Sequence, residues 1–230
     1  MNFFDLKIIT FLNHFSQKSW VFDKFVGSLS ANHLLKGGVL AMLIWWAWFT
    51  HAEGQKRYRK HIVATLLGCV IAIVFAKALG WVLPFRPRPL RAEELNFLLP
   101  FGEKLDILDG WSSFPSDHAV LFFTLSVGLC FVSRSVGVFA LMYTTLFIAM
   151  PRLYLGLHYP TDILGGALIG ATLAVVGNYY LVNTRLIKSI VDWSDSQPQL
   201  FYPLFFLVSY QIADLFEGSR AIAHAISQVF

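Results

Sequence analysis

Charge is scarce in this chain: Asp, Glu, Lys and Arg make up 14% of its 230 residues, against 56% for apolar types. With a mean hydropathy of +0.59, that composition excludes an ordinary soluble domain and puts the bulk of the chain in lipid. Cysteine is nearly absent. The two present, Cys69 and Cys130, fall in apolar stretches, where a disulfide framework is not expected and a small buried hydrophobe is the ordinary role. The net charge of +4 is spread without a basic stripe of interleaved aromatics, so nucleic acid is not a partner to expect. No repeat, low-complexity tract or Pro/Gly/Ser linker divides residues 1–230, which read as one domain. The first 33 residues have no basic start, long apolar run or small-residue cleavage site and do not read as a signal peptide.

What is abundant is apolar sequence in helix-length runs. A helix needs about 20 mostly apolar residues to cross a bilayer, and six candidate spans follow: Leu34–Thr50, Ile62–Pro84, Ala119–Val132, Val136–Met150, Pro160–Val182 and Phe201–Phe216. The first and third are short, which buried ends or local thinning accommodates. The last carries Gln211 and Asp214. Residues 1–33 mix Phe3, Phe4, Phe11 and Phe15 with Asp5, Lys7 and Asp23, as amphipathic helices at the membrane interface do. Residues 217–230 form a tail with no assigned role.

Lys56, Arg57, Arg59 and Lys60 crowd the loop between the first two spans and, by the positive-inside rule, stay cytoplasmic. The loops 85–118 and 151–160 then lie outside. Whatever the sign of the topology, an even number of spans separates those two loops, so they share one face and converge on one site. Gly166 and Gly170 make a GxxxG in the fifth span, a mark of close helix packing.

Three constellations carry chemistry. In PRLYLGLHYPTD, Arg152, His158 and Asp162 stand together at a boundary; Pro160 suits a first helical turn. An Asp in that turn is placed to take the Nδ1 proton of His158 and leave Nε2 free to attack, though a plain helix cap reads equally well. In SSFPSDHA, Ser116 is a natural N-cap, and the amides around Asp117 and His118 open a helix where an anion is welcome. His118 is placed to protonate a leaving oxygen. In FAKALGWVLPFRPRP, Lys77, Arg86 and Arg88 form a cationic cradle, and arginine matches phosphate bidentately.

Together these motifs resemble the PAP2 superfamily of membrane phosphatases. The resemblance covers about Leu34 to Val182. In this sequence Pro115-Ser116-Asp117-His118 has Asp117 where the family has Gly, and Pro151 stands where the family has Ser before Arg152. Lys77 and Arg88 are farther apart than is usual, by about one helical turn, and Arg86 competes with Arg88 for the motif position; the second Arg-Pro of the run is the usual match. The resemblance implies an all-α, six-transmembrane-helix bundle. It implies His158 as nucleophile through a phosphohistidine, Asp162 orienting it, and His118 as acid and then base. Lys77, Arg88, Arg86, Ser116, Asp117 and Arg152 would bind phosphate, with no metal or other cofactor. The variant motif and small size look like the undecaprenyl-diphosphate phosphatase branch, in a bacterial inner membrane with its site toward the periplasm. Phosphatidic acid, phosphatidylglycerol phosphate and lipid A 1-phosphate phosphatases share the motifs. A vanadium haloperoxidase, a transporter using Lys77, Asp162 and Asp214, and a non-catalytic scaffold are the readings from other classes.

Overall fold

The computed structural model describes residues 2–50, 54–104 and 110–219. Asp106 and Asp109 of the loop before SSFPSDHA, and all but the first three residues of the tail, including His224, lie outside the described residues.

Among the described residues every regular element is helical. Helices α1 (Phe3–Asn13) and α2 (Trp20–Ala31) are capped by Asn2 and Ser19. Their polarity is inverted relative to a soluble protein: Asp5 and Asp23 are fully buried while Phe3, Phe11, Phe22 and Phe25 face outward. A π-helical turn, Leu34–Gly38, enters α3 (Val39–Phe49). Next come α4 (Gln55–Val82), α5 (Asp117–Cys130) and α6 (Arg134–Tyr143), the last running through a π segment, Thr144–Ala149, into α7 (Met150–Tyr154). Helices α8 (Pro160–Tyr180), α9 (Arg185–Ser196) and α10 (Pro198–Ala213) follow.

Helix α4 begins seven residues before the expected Ile62, because the basic loop is itself helical. The fourth expected span extends to Tyr154, so Arg152 sits on a helix turn and not in a loop. Asp214 lies just past α10 and meets His33 Nδ1 at 2.9 Å, fastening that end to the π turn. By length and composition three of the described helices suffice to cross a membrane, Gln55–Val82, Arg134–Tyr154 and Pro160–Tyr180; Leu34–Phe49 and Asp117–Cys130 are apolar but shorter.

One packing contact positions the site. A Cβ on Gly166 would stand 2.8 Å from that of Ala119, and one on Gly170 would stand 2.3 Å from the Val120 carbonyl oxygen. Only glycine lets α8 lie that close to α5, and Thr124 Oγ1 bonds the Gly170 carbonyl at 3.1 Å across the seam. The start of α5 is thereby set beside the start of α8. The main core, with Leu40 and Trp48 of α3, Ile62 of α4, Leu125 of α5 and Phe205 of α10, holds the other half of the bundle.

The loop after α4 is strapped to the N-terminal helices. Asn13 Nδ2 and Ser16 Oγ donate to the Leu98 carbonyl at 2.7 and 2.8 Å, and Phe101 N–H donates to Asp23 at 2.8 Å.

Candidate active site

Four segments meet at one end of the bundle: the loop 83–91, Ser112–His118, α7 with the turn that follows it, and the opening of α8. His158 is 1% exposed. Its Nδ1 lies 2.8 Å from the Ser113 carbonyl oxygen. A carbonyl only accepts, so the proton is on Nδ1 and Nε2 carries the lone pair. Arg88 Nη1 stands 3.3 Å from that Nε2 and donates to the Leu157 carbonyl at 2.6 Å. Burial, with the Arg88 guanidinium beside it, holds the imidazole well below the ordinary histidine range, in its neutral form.

The acceptor expected for that proton was Asp162. Its nearer oxygen is 3.9 Å from Nδ1, beyond hydrogen-bond range. That oxygen instead accepts from Ser113 Oγ at 2.5 Å and from Tyr159 N–H at 2.8 Å. Asp162 thus holds the residue whose carbonyl orients His158, one step removed from the imidazole. The reason is local: capping its own helix turns the carboxylate back on Tyr159 and away from the ring.

Arg86 likewise departs from expectation. Its Nη1 bonds Asp162 at 2.5 Å and Thr161 Oγ1 at 2.9 Å, its Nη2 bonds Asp5 at 2.6 Å, and the guanidinium lies 4.2 Å over the Tyr159 ring. Three of its five donors are spent on these side chains, so in this structure Arg86 braces Asp5 and Asp162. Asp5 also accepts from Thr161 N–H at 2.9 Å and from its hydroxyl at 2.7 Å. Neither Asp5 nor Ser113 was singled out from sequence. Asp5 left a trace there, a carboxylate in the run FFDLKIITFL.

On the second side, Ser116 caps α5 by accepting from Ala119 N–H at 3.4 Å. Asp117 Oδ1 accepts from His118 N–H at 2.9 Å and lies 3.1 Å from His118 Nδ1, while its Oδ2 meets Lys77 Nζ at 2.8 Å. Of the two amides expected for phosphate, those of Asp117 and His118, the second is therefore engaged within the chain. Asp117 is a carboxylate partner for His118 and Lys77, not a phosphate ligand by its side chain. Lys77 also lies 4.3 Å over the Trp111 ring. Despite the long interval to Arg88 it reaches the site edge.

Arg152 Nη2 is 2.5 Å from His118 Nε2. The Nε groups of Arg88 and Arg152 are buried and have no hydrogen-bond partner within the described residues. A buried donor left unmade costs about 1–3 kcal/mol. Two such donors, each on a guanidinium already touching an imidazole Nε2, make a place suited to an oxyanion, with the His158 and His118 rings on either side of it.

The sequence model described as the PAP2 superfamily matches residues 61–186, more than half of the chain. The undecaprenyl-diphosphatase BcrC of Bacillus subtilis (strain 168) is 24% identical over 192 residues, 84% of this chain and 89% of that protein. The structure of Aquifex aeolicus LpxE superposes with a TM-score of 0.52 at 24% identity, covering 76% of this chain and 94% of that one. A transmembrane PAP2-type phosphatidylglycerolphosphate phosphatase from Bacillus subtilis gives 0.51 at 20% identity, covering 79% and 86%. At these identities the two structures establish likeness of fold.

Proposed function

Because this chain belongs to the PAP2 superfamily, and is accordingly a phosphatase and a bacterial membrane protein, we propose that it hydrolyses the terminal phosphate of a lipid through a phosphohistidine on His158. Nε2 attacks phosphorus in line, forming the N–P bond as the bond to the leaving oxygen breaks. His118, whose Nε2 accepts from Arg152 in this structure, gives that oxygen its proton once the bound phosphoryl group draws the guanidinium away and Nε2 is protonated, and the Asp117 carboxylate beside Nδ1 supports the imidazolium. A water, deprotonated by His118, then cleaves the N–P bond and releases phosphate. Arg88, Arg152 and Lys77 balance the charge on the phosphoryl oxygens, with Ser116 beside them, so no step is routed through a metal. The pair of unpartnered buried guanidinium donors carries this reading.

We read six helices as crossing the membrane, α1 and α2 as lying at its interface, and the histidine end as facing the periplasm. The cluster Lys56, Arg57, Arg59 and Lys60 at the far end of α4 supports that orientation. The favoured substrate is undecaprenyl diphosphate. The likeness to BcrC along most of both chains supports it, as does a site at a bundle end, where a head group meets water while its tail stays in lipid.

The test is phosphate release by purified, detergent-solubilised protein in excess chelator, with undecaprenyl diphosphate, phosphatidic acid and phosphatidylglycerol phosphate compared. Acid quenching of a single turnover is expected to trap an acid-labile, base-stable phosphoprotein, absent in His158→Ala. Release that survives in His158→Ala would overturn the mechanism, and release from phosphatidic acid alone would overturn the substrate.

A further inference from the structure

The bundle has a second polar chamber, at the end away from the histidines. Arg57, Lys60 and His61 of α4, Phe131 just beyond α5, and Asn178 and Tyr179 of α8 line a cavity of about 640 Å³. That is within the ordinary range for a ligand site. His61 and Lys77 share α4, and a rise of 1.5 Å per residue puts this chamber about 24 Å from the catalytic end.

Its walls are specific. Asn178 Nδ2 donates to Thr65 Oγ1 at 3.1 Å and to the Ala174 carbonyl at 2.9 Å, so its Oδ1, 2.9 Å from His61 Nδ1, accepts. That fixes the His61 proton on Nδ1 and leaves Nε2 without a partner among the described residues. The His61 ring stacks on Phe131 at 5.7 Å, and Phe131 meets Tyr179 edge-on at 5.7 Å. Tyr179 is 69% exposed at the rim, where an amphipathic ring sits at head-group level. The cations divide into two kinds. Lys56 and Arg59 both pair with Asp195, whereas Arg57 and Lys60, which face the cavity, have no carboxylate partner among the described residues.

We propose that this cavity is a second anion site, one that takes a phosphate group, supplied by the head group of an anionic lipid in the leaflet opposite the catalytic end or by free phosphate. Arg57 and Lys60 supply the charge, the Asn178-oriented His61 supplies a polar contact between them, and the Phe131–Tyr179 pair supplies an apolar wall for glycerol and upper acyl carbons. The site is independent of the catalytic reading, since none of its residues is among those proposed to act on substrate.

The experiment is native mass spectrometry of the full chain released from mixed phosphatidylglycerol and phosphatidylcholine micelles. Wild type is expected to retain phosphatidylglycerol over phosphatidylcholine. Arg57→Gln/Lys60→Gln should retain it roughly tenfold more weakly or less, as follows from removing two cations that each attract an anionic head group. Lys60→Gln alone should fall between. The double variant should keep its phosphatase turnover, which certifies its fold. Arg185→Gln/Lys188→Gln, two exposed cations at the same end outside the cavity, should behave as wild type. Displacement of the lipid by millimolar inorganic phosphate identifies free phosphate as a ligand; resistance to it identifies the lipid head group. Equal retention by the Arg57/Lys60 double variant, equal weakening by the Arg185/Lys188 variant, or no preference over phosphatidylcholine overturns the proposal.

Discussion

Glutamine at each arginine of the RPRP run should separate chemistry from architecture. Arg88 is 5% exposed, touches His158 Nε2 at 3.3 Å and keeps a buried Nε unpartnered. Arg88→Gln removes a donor aimed at developing charge, and losing one such donor costs about 10²–10³ in kcat, roughly 3–4 kcal/mol. Its effect on stability should be smaller, since the Leu157 and Ser112 carbonyls it bonds are neutral. Arg86 is the reverse case. It bridges Asp5 and Asp162, both 0% exposed, and is itself 27% exposed at the side chain. Removing one partner of a fully buried ion pair costs about 3–5 kcal/mol, and the partial exposure of Arg86 puts its loss below that, roughly 2–3 kcal/mol. Arg86→Gln should therefore lower the unfolding midpoint by several degrees. It should reduce kcat by about tenfold, through misaligned Asp162 and Ser113. The assay pairs phosphate release at saturating lipid with thermal unfolding in the same detergent. A native midpoint with a thousandfold loss of turnover in Arg86→Gln, beside near-normal turnover in Arg88→Gln, would refute the division of roles.

Two further outcomes follow. Asp117→Asn removes the carboxylate beside His118 Nδ1, so turnover of alkyl phosphates, whose leaving oxygen needs a proton, should fall by about 10²-fold. An aryl phosphate such as p-nitrophenyl phosphate should lose far less, and equal losses on both would remove His118 as the proton donor. For His158, a lowered pKa favours the neutral ring as pH falls through the ordinary histidine value. Nitrogen-15 NMR of substrate-free protein should show a neutral imidazole with its proton on Nδ1 from pH 8 down to about 5.5, below the model-peptide value of about 6.5; an imidazolium at pH 6 would contradict the geometry.

Much of the site was legible because its chemistry is carried by side chains at helix boundaries. His118 and His158 could be put on one face by counting spans, and Gly166 and Gly170 signalled the close seam that brings them together. Other parts were out of reach for physical reasons. The acceptor that fixes the His158 tautomer is a backbone carbonyl, and Ser113 has no more claim to that post in sequence than any other residue. Two Arg-Pro pairs in a row look alike until it is known that α1 docks against one of them. The Asp117 substitution was visible, but its bonds depend on the exact turn from which α5 starts. The cavity at the far end of α4 was read from sequence only as topogenic charge, since its lining is split among residues 57–61, 131 and 178–179.

The tie between Asp5 and the opening of α8 has a bearing on how the protein is made. The hydrogen bond from Thr161 N–H to Asp5 spans 156 residues, so a ribosome has finished about two thirds of the chain before Asp5 meets Thr161. Until α8 is inserted, Arg86 and Ser113 both lack Asp162. On the reading proposed above, the site is complete only once α8 is in place. By the same logic, a fusion that tugs on the first few residues should reach the site through Asp5, Arg86 and Asp162.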